Sequence, residues 1–161
     1  MSGYSPVVSD NYLTVIPTAP HWQPDRAAAG RTAALMTTLC PGIHSGHVEA
    51  HWHDTVTLVL CGANLKSVGC PRCHGGPDLS DWAFACIDDA YHRTGFADLE
   101  AETPCCGAAV SLNDLDYRWP CGFARFRLDV IYPDRGWLTE EELAAVTDAL
   151  GHPVRQILSH F

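Results

Sequence analysis

"ARFRLDVIYP", residues 124–133, is the run on which the fold reading turns. Ala124, Phe126, Leu128, Val130 and Tyr132 share one parity; Arg125, Arg127 and Asp129 share the other. Side chains alternate between the two faces of a strand, so this pattern predicts a strand with one buried face. "LTEEELAAVTDALGHP" follows and reads as a helix. Thr139 and Glu142 have the spacing of a capping box, Leu138 and Leu143 that of a hydrophobic staple, and Gly151 with Pro153 closes the helix. The last run, "PVRQILSHF", suits two readings. Val154, Ile157, Leu158 and Phe161 have helical spacing, whereas Arg155, Ile157, Ser159 and Phe161 alternate. We read it as a closing strand.

The start of the chain echoes this order. "YLTVIPT" (12–18) is short and alternating, a strand ended by Pro17 and Pro20. "PDRAAAGRTAALMTTL" is a helix with Pro24 at its first position. Ala27, Arg31, Ala34, Leu35, Thr38 and Leu39 fall on one mostly apolar face, and Pro41-Gly42 ends it. In "HVEAHWHDTVTLVLCG", Val48, Ala50, Trp52, Val56, Leu58 and Leu60 have one parity, and His47, Glu49, His51, His53, Thr55 and Thr57 the other. That predicts a half-buried strand, or two strands bent at Asp54. Two strand–helix–strand units of this kind predict a ferredoxin-like α+β fold with a mainly antiparallel sheet and about three helices. The expected domain is single, residues 1–161, with a module inserted between the halves at about 62–121.

Inside that module, "SDWAFACIDDAYHRTG" is helical. Ala83, Cys86, Ile87, Ala90 and Tyr91 recur on one face, Ser80 can cap the helix and Gly95 can end it. "FADLEAET" reads as a strand. The helix lies between two cysteine turns, "CPRCHG" (70–75) and "TPCCG" (103–107). Aligned, Cys70-Pro71-Arg72-Cys73 matches Thr103-Pro104-Cys105-Cys106, so Cys106 stands in the register of Cys73 and Thr103 where a cysteine is expected. Zinc takes four ligands at tetrahedral corners, and a C-x-x-C turn supplies two sulfurs on one side of the ion. Adjacent cysteines on a straight strand point to opposite faces, so both can serve one ion only where the backbone turns. Pro104 and Gly107 frame such a turn. The expected ligands are Cys70, Cys73, Cys105 and Cys106, with His74 and then Cys121 as replacements for Cys105. The two turns resemble zinc ribbons and zinc knuckles, which implies a structural Zn2+. The run "SLNDLDYRWPCGFARF" (111–126) is similar to small uncharacterised bacterial proteins, and no activity comes with that likeness.

Two other chemistries compete. C-P-x-C also occurs in thiol redox proteins, where a helix N-terminus lowers the thiol pKa. Here His-Gly-Gly-Pro separates the cysteines from the helix. "HSGHVEAHWHD" contains His44, His47, His51 and His53, and His51 and His53 share a strand face beside Glu49 and Asp54. Such a group can hold a catalytic metal, or be a polar strand face that titrates near neutrality. No nucleophile elbow, phosphate loop, dinucleotide fingerprint or H-E-x-x-H accompanies it. Asn113, Asp114 and Asp116 beside Tyr117 and Trp119 read as a turn between strands. Arg118, Arg125 and Arg127 read as solvated or ion-paired. Cys40, Cys61 and Cys86 read as small hydrophobes.

Composition sets the outer bounds. The chain has 161 residues, and 47% of them are apolar, enough for a real core. No apolar run reaches the ~20 residues of a membrane span, and no signal peptide is visible, so a cytoplasmic protein is expected. In that compartment eight cysteines favour metal ligation or buried thiols over disulfides. A formal net charge of -9 disfavours nucleic acid and suits a basic partner. The sequence therefore points to a non-enzymatic, zinc-stabilised domain that binds another protein. In a bacterium, an immunity protein or inhibitor of a basic toxin is one concrete form. A metal-dependent enzyme using His44–His53 is the first alternative, and a thiol redox protein the second.

Overall fold

A computed structural model describes residues 11–40 and 47–161. Four strands form the main sheet: β1 (Asn11–Pro17), β2 (Val48–Val59), β7 (Gly122–Ile131) and β8 (Val154–His160). Their order is β2-β7-β1-β8, and every neighbouring pair is antiparallel. Helix α1 (Arg26–Leu39) joins β1 to β2, and helix α3 (Glu140–Leu150) joins β7 to β8. Each half is thus a strand–helix–strand unit with a strand of the other half slotted between its own two. This is the interleaved ferredoxin-like arrangement that the echo predicts.

Alternation then sorts the residues into two layers. Leu13, Val15, Phe126, Leu128 and Val130 face α1 and α3, where they meet Ala29, Met36, Val146 and Leu150. Ile16, Phe123 and Ile157 meet the inserted module on the opposite side of the sheet. The predicted face of β7 is buried as expected, but Tyr132 lies beyond the strand. The capping box of α3 is present: Thr139 Oγ1 accepts from the Glu142 N–H at 3.1 Å, and a Glu142 oxygen accepts from the Thr139 N–H at 2.9 Å. The ambiguous last run is a strand, paired along all of β1.

Helix α1 departs from expectation in two ways. Pro24 precedes the helix, and Asp25 is the cap, its carboxylate accepting from the Ala28 N–H at 2.7 Å. The buried residues are Ala28, Ala29, Thr32 and Met36, whereas Ala27, Arg31, Ala34 and Thr38 are exposed. Alanines lie on both sides of this helix, so the periodic signal is weak. The bulk of Met36 decides which side turns inward, and Thr32 is tolerated there because its hydroxyl donates to the Ala28 carbonyl.

The bend expected near Asp54 is a register shift in β2. Trp52 pairs with Phe126 but Thr57 pairs with Ala124, so β2 carries extra residues between them. Gln23 braces this bulge, its Nε2 donating to the carbonyls of His53 and Arg125 at 3.0 Å each.

The module contains β3 (Ser67–Gly69), helix α2 (Ser80–Thr94), the hairpin of β4 (Glu100–Glu102) and β5 (Ala109–Ser111), a 3-10 turn at Leu112–Asp114, and β6 (Asp116–Arg118), which pairs with β3. In α2, Ala83, Ile87 and Ala90 are buried as expected. Tyr91 is exposed, and Leu79 takes the cap position instead of Ser80. The Asp78 carboxylate does the capping work, accepting from the N–H groups of Val68 and Ser80. Asn113, expected as a turn residue, is buried and fastens module to sheet. It donates to the Thr18 carbonyl, accepts from the Phe123 N–H and receives the Arg155 guanidinium.

Candidate metal centre

Two tight turns present the cysteines, one after β3 and one between β4 and β5. In the first, the Arg72 and Cys73 N–H groups point at the Cys70 sulfur, at 3.4 and 3.5 Å. These amides stabilise a thiolate and hold the Cys70 thiol pKa down to about 6; the Cys73 N–H is the largest cause, and burial works against it. His74 follows in a left-handed conformation, φ 55°, which turns the chain back after the pair.

The second turn is closed by Thr103. Its backbone N–H donates to the Ala108 carbonyl at 3.0 Å, and its carbonyl accepts from Gly107 at 2.9 Å. The Thr103 side chain, buried at the base, accepts from the Ala108 N–H at 3.2 Å and lies 3.3 Å from the Cys106 sulfur. Threonine therefore holds the loop's shape where an aligned cysteine would offer a sulfur. Gly107 at φ 67° completes the turn. The chain reverses at Cys105 and Cys106, so both side chains reach the same side.

The four sulfurs come together. Cys70 and Cys106 are 3.8 Å apart, Cys73 and Cys105 are 3.5 Å apart, and all four lie within 4.8 Å of one another. A tetrahedral ion with Zn–S bonds of ~2.3 Å separates its sulfurs by ~3.8 Å. The cluster can hold a metal ion with little movement. Only Cys70 is buried; Cys73, Cys105 and Cys106 are exposed. The Cys105 thiol is pushed up to about 11, first by desolvation and then by the neighbouring Cys73 and Cys70 sulfurs. Four thiols this close cannot all ionise unless a cation joins them, and metal ligation requires them all as thiolates.

The two replacement ligands stand apart. Among the described residues, neither His74 nor Cys121 belongs to the group of side chains able to share an ion. Cys121 is buried against Cys61 in the module core, where burial raises its thiol to about 12. Cys61 is likewise raised by burial and directs its sulfur at the Trp119 carbonyl. Cys40 and Cys86 are raised by burial as well, in keeping with their reading as small hydrophobes. For redox chemistry of the first pair, α2 begins at Ser80, so its N-terminus does not follow directly on Cys70 and Cys73.

The histidines form a separate group on the sheet face opposite α1 and α3. His44 lies outside the described residues. His51 Nε2 lies 3.5 Å from Glu49 and 3.6 Å from Asp129, and its ring stacks 6.3 Å from that of His53. Asp129 is held by Thr14 at 2.7 Å and by Arg127 at 3.0 Å. No spacing in the sequence signals this Asp129 knot, because its partners come from three strands. Among the described residues, the four cysteines alone bring three or more ligand atoms within reach of one ion.

The chain matches no protein-family model, no curated protein and no solved structure. What stands is the class the geometry defines: an α+β fold carrying a cluster of four cysteines able to hold a metal ion. No helix among the described residues is long and apolar enough to cross a membrane.

Proposed function

We propose that Cys70, Cys73, Cys105 and Cys106 bind one structural Zn2+, and that the clipped domain binds a basic protein without catalysing a reaction. The sulfur spacing carries this reading: 3.5 and 3.8 Å across the cluster, against ~3.8 Å for tetrahedral zinc. The position of the clip supports a structural role. It ties the β3 end to the β4–β5 hairpin, two short elements that are weak by themselves. Charge supports the partner. Between residues 62 and 121 there are nine acidic against four basic residues. Four thiolates around a divalent ion leave two further negative charges there. Such a surface steers a cationic partner toward itself.

Elemental analysis of protein purified without added metal should give about one zinc per chain, absent when the four cysteines are replaced. Chelation should lower amide protection at residues 67–118 before it does so in β1, β7 and β8. Less than a tenth of an equivalent of zinc, with a reversibly oxidised dithiol in its place, would overturn the metal half. The partner half is tested with the chain isolated from its native host. A basic protein should accompany it in stoichiometric amount, leave at high salt, and bind again from purified components. A partner that is acidic, or a nucleic acid, would overturn that half.

A further inference from the structure

A cavity of about 580 Å³ opens where β1, β8 and the turn after β7 meet, and none of the four clip cysteines lines it. Its volume is that of small-ligand sites. Tyr12, Trp119 and Tyr132 are among the residues that line it. The Trp119 indole is fixed, its Nε1–H donating to the Leu158 carbonyl at 2.7 Å while its ring leans on Trp137, 5.1 Å away.

The backbone here is unusual. Five non-glycine residues among those described have positive φ, and three of them line this cavity: Trp119 at 94°, Tyr132 at 54° and Asp134 at 58°. A bulky residue such as tryptophan adopts positive φ only where its surroundings enforce it, and such outliers gather at functional sites.

The charges on the wall select the ligand. Arg135 is already used: its two terminal nitrogens bind both Glu142 oxygens, at 2.7 and 2.8 Å, and also the carbonyls of Leu39 and Trp137. The Asp134 carboxylate is exposed and has no ion pair among the described residues. Ser159 is 5% exposed, and its hydroxyl has no hydrogen bond among those residues. His160 is occupied by Asn11, at 2.7 Å. Among the described residues the wall therefore presents three aromatic residues, a carboxylate without an ion pair and a hydroxyl without a hydrogen bond, but no free cation. Among the described residues an anion would find no free counter-charge.

We propose that this cavity binds an organic cation, an ammonium or guanidinium group held over the aromatic rings with Asp134 as counter-ion. Cations are attracted to the electron-rich faces of tryptophan and tyrosine, most strongly when desolvated. The chain's net charge of -9 favours the same ligands. A free amine and a lysine or arginine side chain of a basic partner present the same chemistry; only the second source rests on the protein-binding reading above.

The test is a titration of the zinc-loaded, 15N-labelled full chain with three probes, followed by NMR and calorimetry. The probes are choline, its neutral isostere 3,3-dimethylbutan-1-ol, and N-acetyl-lysine methylamide. Choline should bind about tenfold or more tightly than the isostere. Shifts should centre on Trp119, Tyr132 and Ser159. Asp134→Asn should weaken cation binding about fivefold with an unchanged melting temperature, because asparagine tolerates the same left-handed backbone. Choline binding well above the lysine derivative assigns a free amine; the reverse assigns a partner side chain. Equal binding of choline and its neutral isostere, or shifts away from the cavity, would sink the cation assignment. Neither result touches the zinc count, so the two readings fail separately.

Discussion

Replacing Cys105 with serine is the most discriminating perturbation of the clip. The sequence leaves three candidates for the fourth corner, and the structure brings one of them to it. The Cys105 sulfur is 3.5 Å from that of Cys73, inside a group whose members are all within 4.8 Å. Structural zinc sites in small domains are worth ~10–16 kcal/mol in total, so one sulfur of four contributes roughly 3–4 kcal/mol. Removing it should raise the zinc Kd by about two to three decades, since each 1.4 kcal/mol is tenfold. Competition against a chromophoric chelator at pH 7 reads this directly, with the melting temperature of loaded and stripped protein measured beside it. Cys121→Ser and His74→Ala are the controls and should bind zinc within about twofold of the parent. The reasoning fails if Cys105→Ser keeps parental affinity, or if either control loses it. The first result would mean that the loop rearranges around another ligand. The second would mean that the cluster geometry does not describe the ion site.

Three further outcomes follow from the same packing. A Cβ on Gly122 would lie 2.6 Å from the Arg155 guanidinium and 3.0 Å from the Asn113 side-chain oxygen, so Gly122→Ala should cost about 1–3 kcal/mol in urea unfolding by wedging apart the knot between module and sheet. The Glu142 carboxyl is held down to about 2, chiefly by hydrogen bonding to Arg135, from an ordinary value of 4.5. Its stabilising effect is therefore complete above pH ~4.5 and lost as pH falls toward 2, so parent and Glu142→Gln melting temperatures should converge over that window. His53 Nε2 is buried with no hydrogen-bond partner among the described residues, and burial, followed by Arg127 and His51, lowers its pKa from 6.5. A lowered histidine disfavours the folded state once the unfolded chain protonates, below about pH 6.5. His53→Phe should thus gain about 1 kcal/mol in urea unfolding and flatten the stability loss on acidification below that pH; an unchanged pH profile would contradict the burial argument.

Much of the fold was legible because it is written in short-range periodicity. The alternation of residues 124–130, the Thr139–Glu142 box and the echo between "LTVIP" and "LDVIYP" each report on one local element, and all three agree with the sheet order β2-β7-β1-β8. Helix α1 is rotated from its predicted face, of which only Leu35 and Leu39 pack against the core, for the converse reason. Its alanines are nearly symmetric about the axis, and burial is settled by Met36 packing into the core beneath the sheet's helical layer. "PVRQILSHF" carried both periods equally, and only the full-length partner β1 made it a strand.

The clip divides in the same way. Local sequence determined that "CPRC" makes a two-sulfur turn and that Pro104 and Gly107 bend the second one, because turn geometry depends on a few consecutive residues. It could not decide among Cys105, His74 and Cys121. That choice depends on where the loop of the β4–β5 hairpin lies relative to the turn after β3, and on Cys121 being drawn into the core beside Cys61. The Asn113–Arg155 fastening, the Asp129 knot and the cavity of Trp119 and Tyr132 were also beyond reach. Each joins residues far apart in the chain, so nothing in the spacing of either partner signals the other. The sequence by itself determined most of the elements and the supply of cysteine sulfurs in two turns; tertiary structure decided which side chains meet, because only the folded sheet brings its two halves and the inserted module into register.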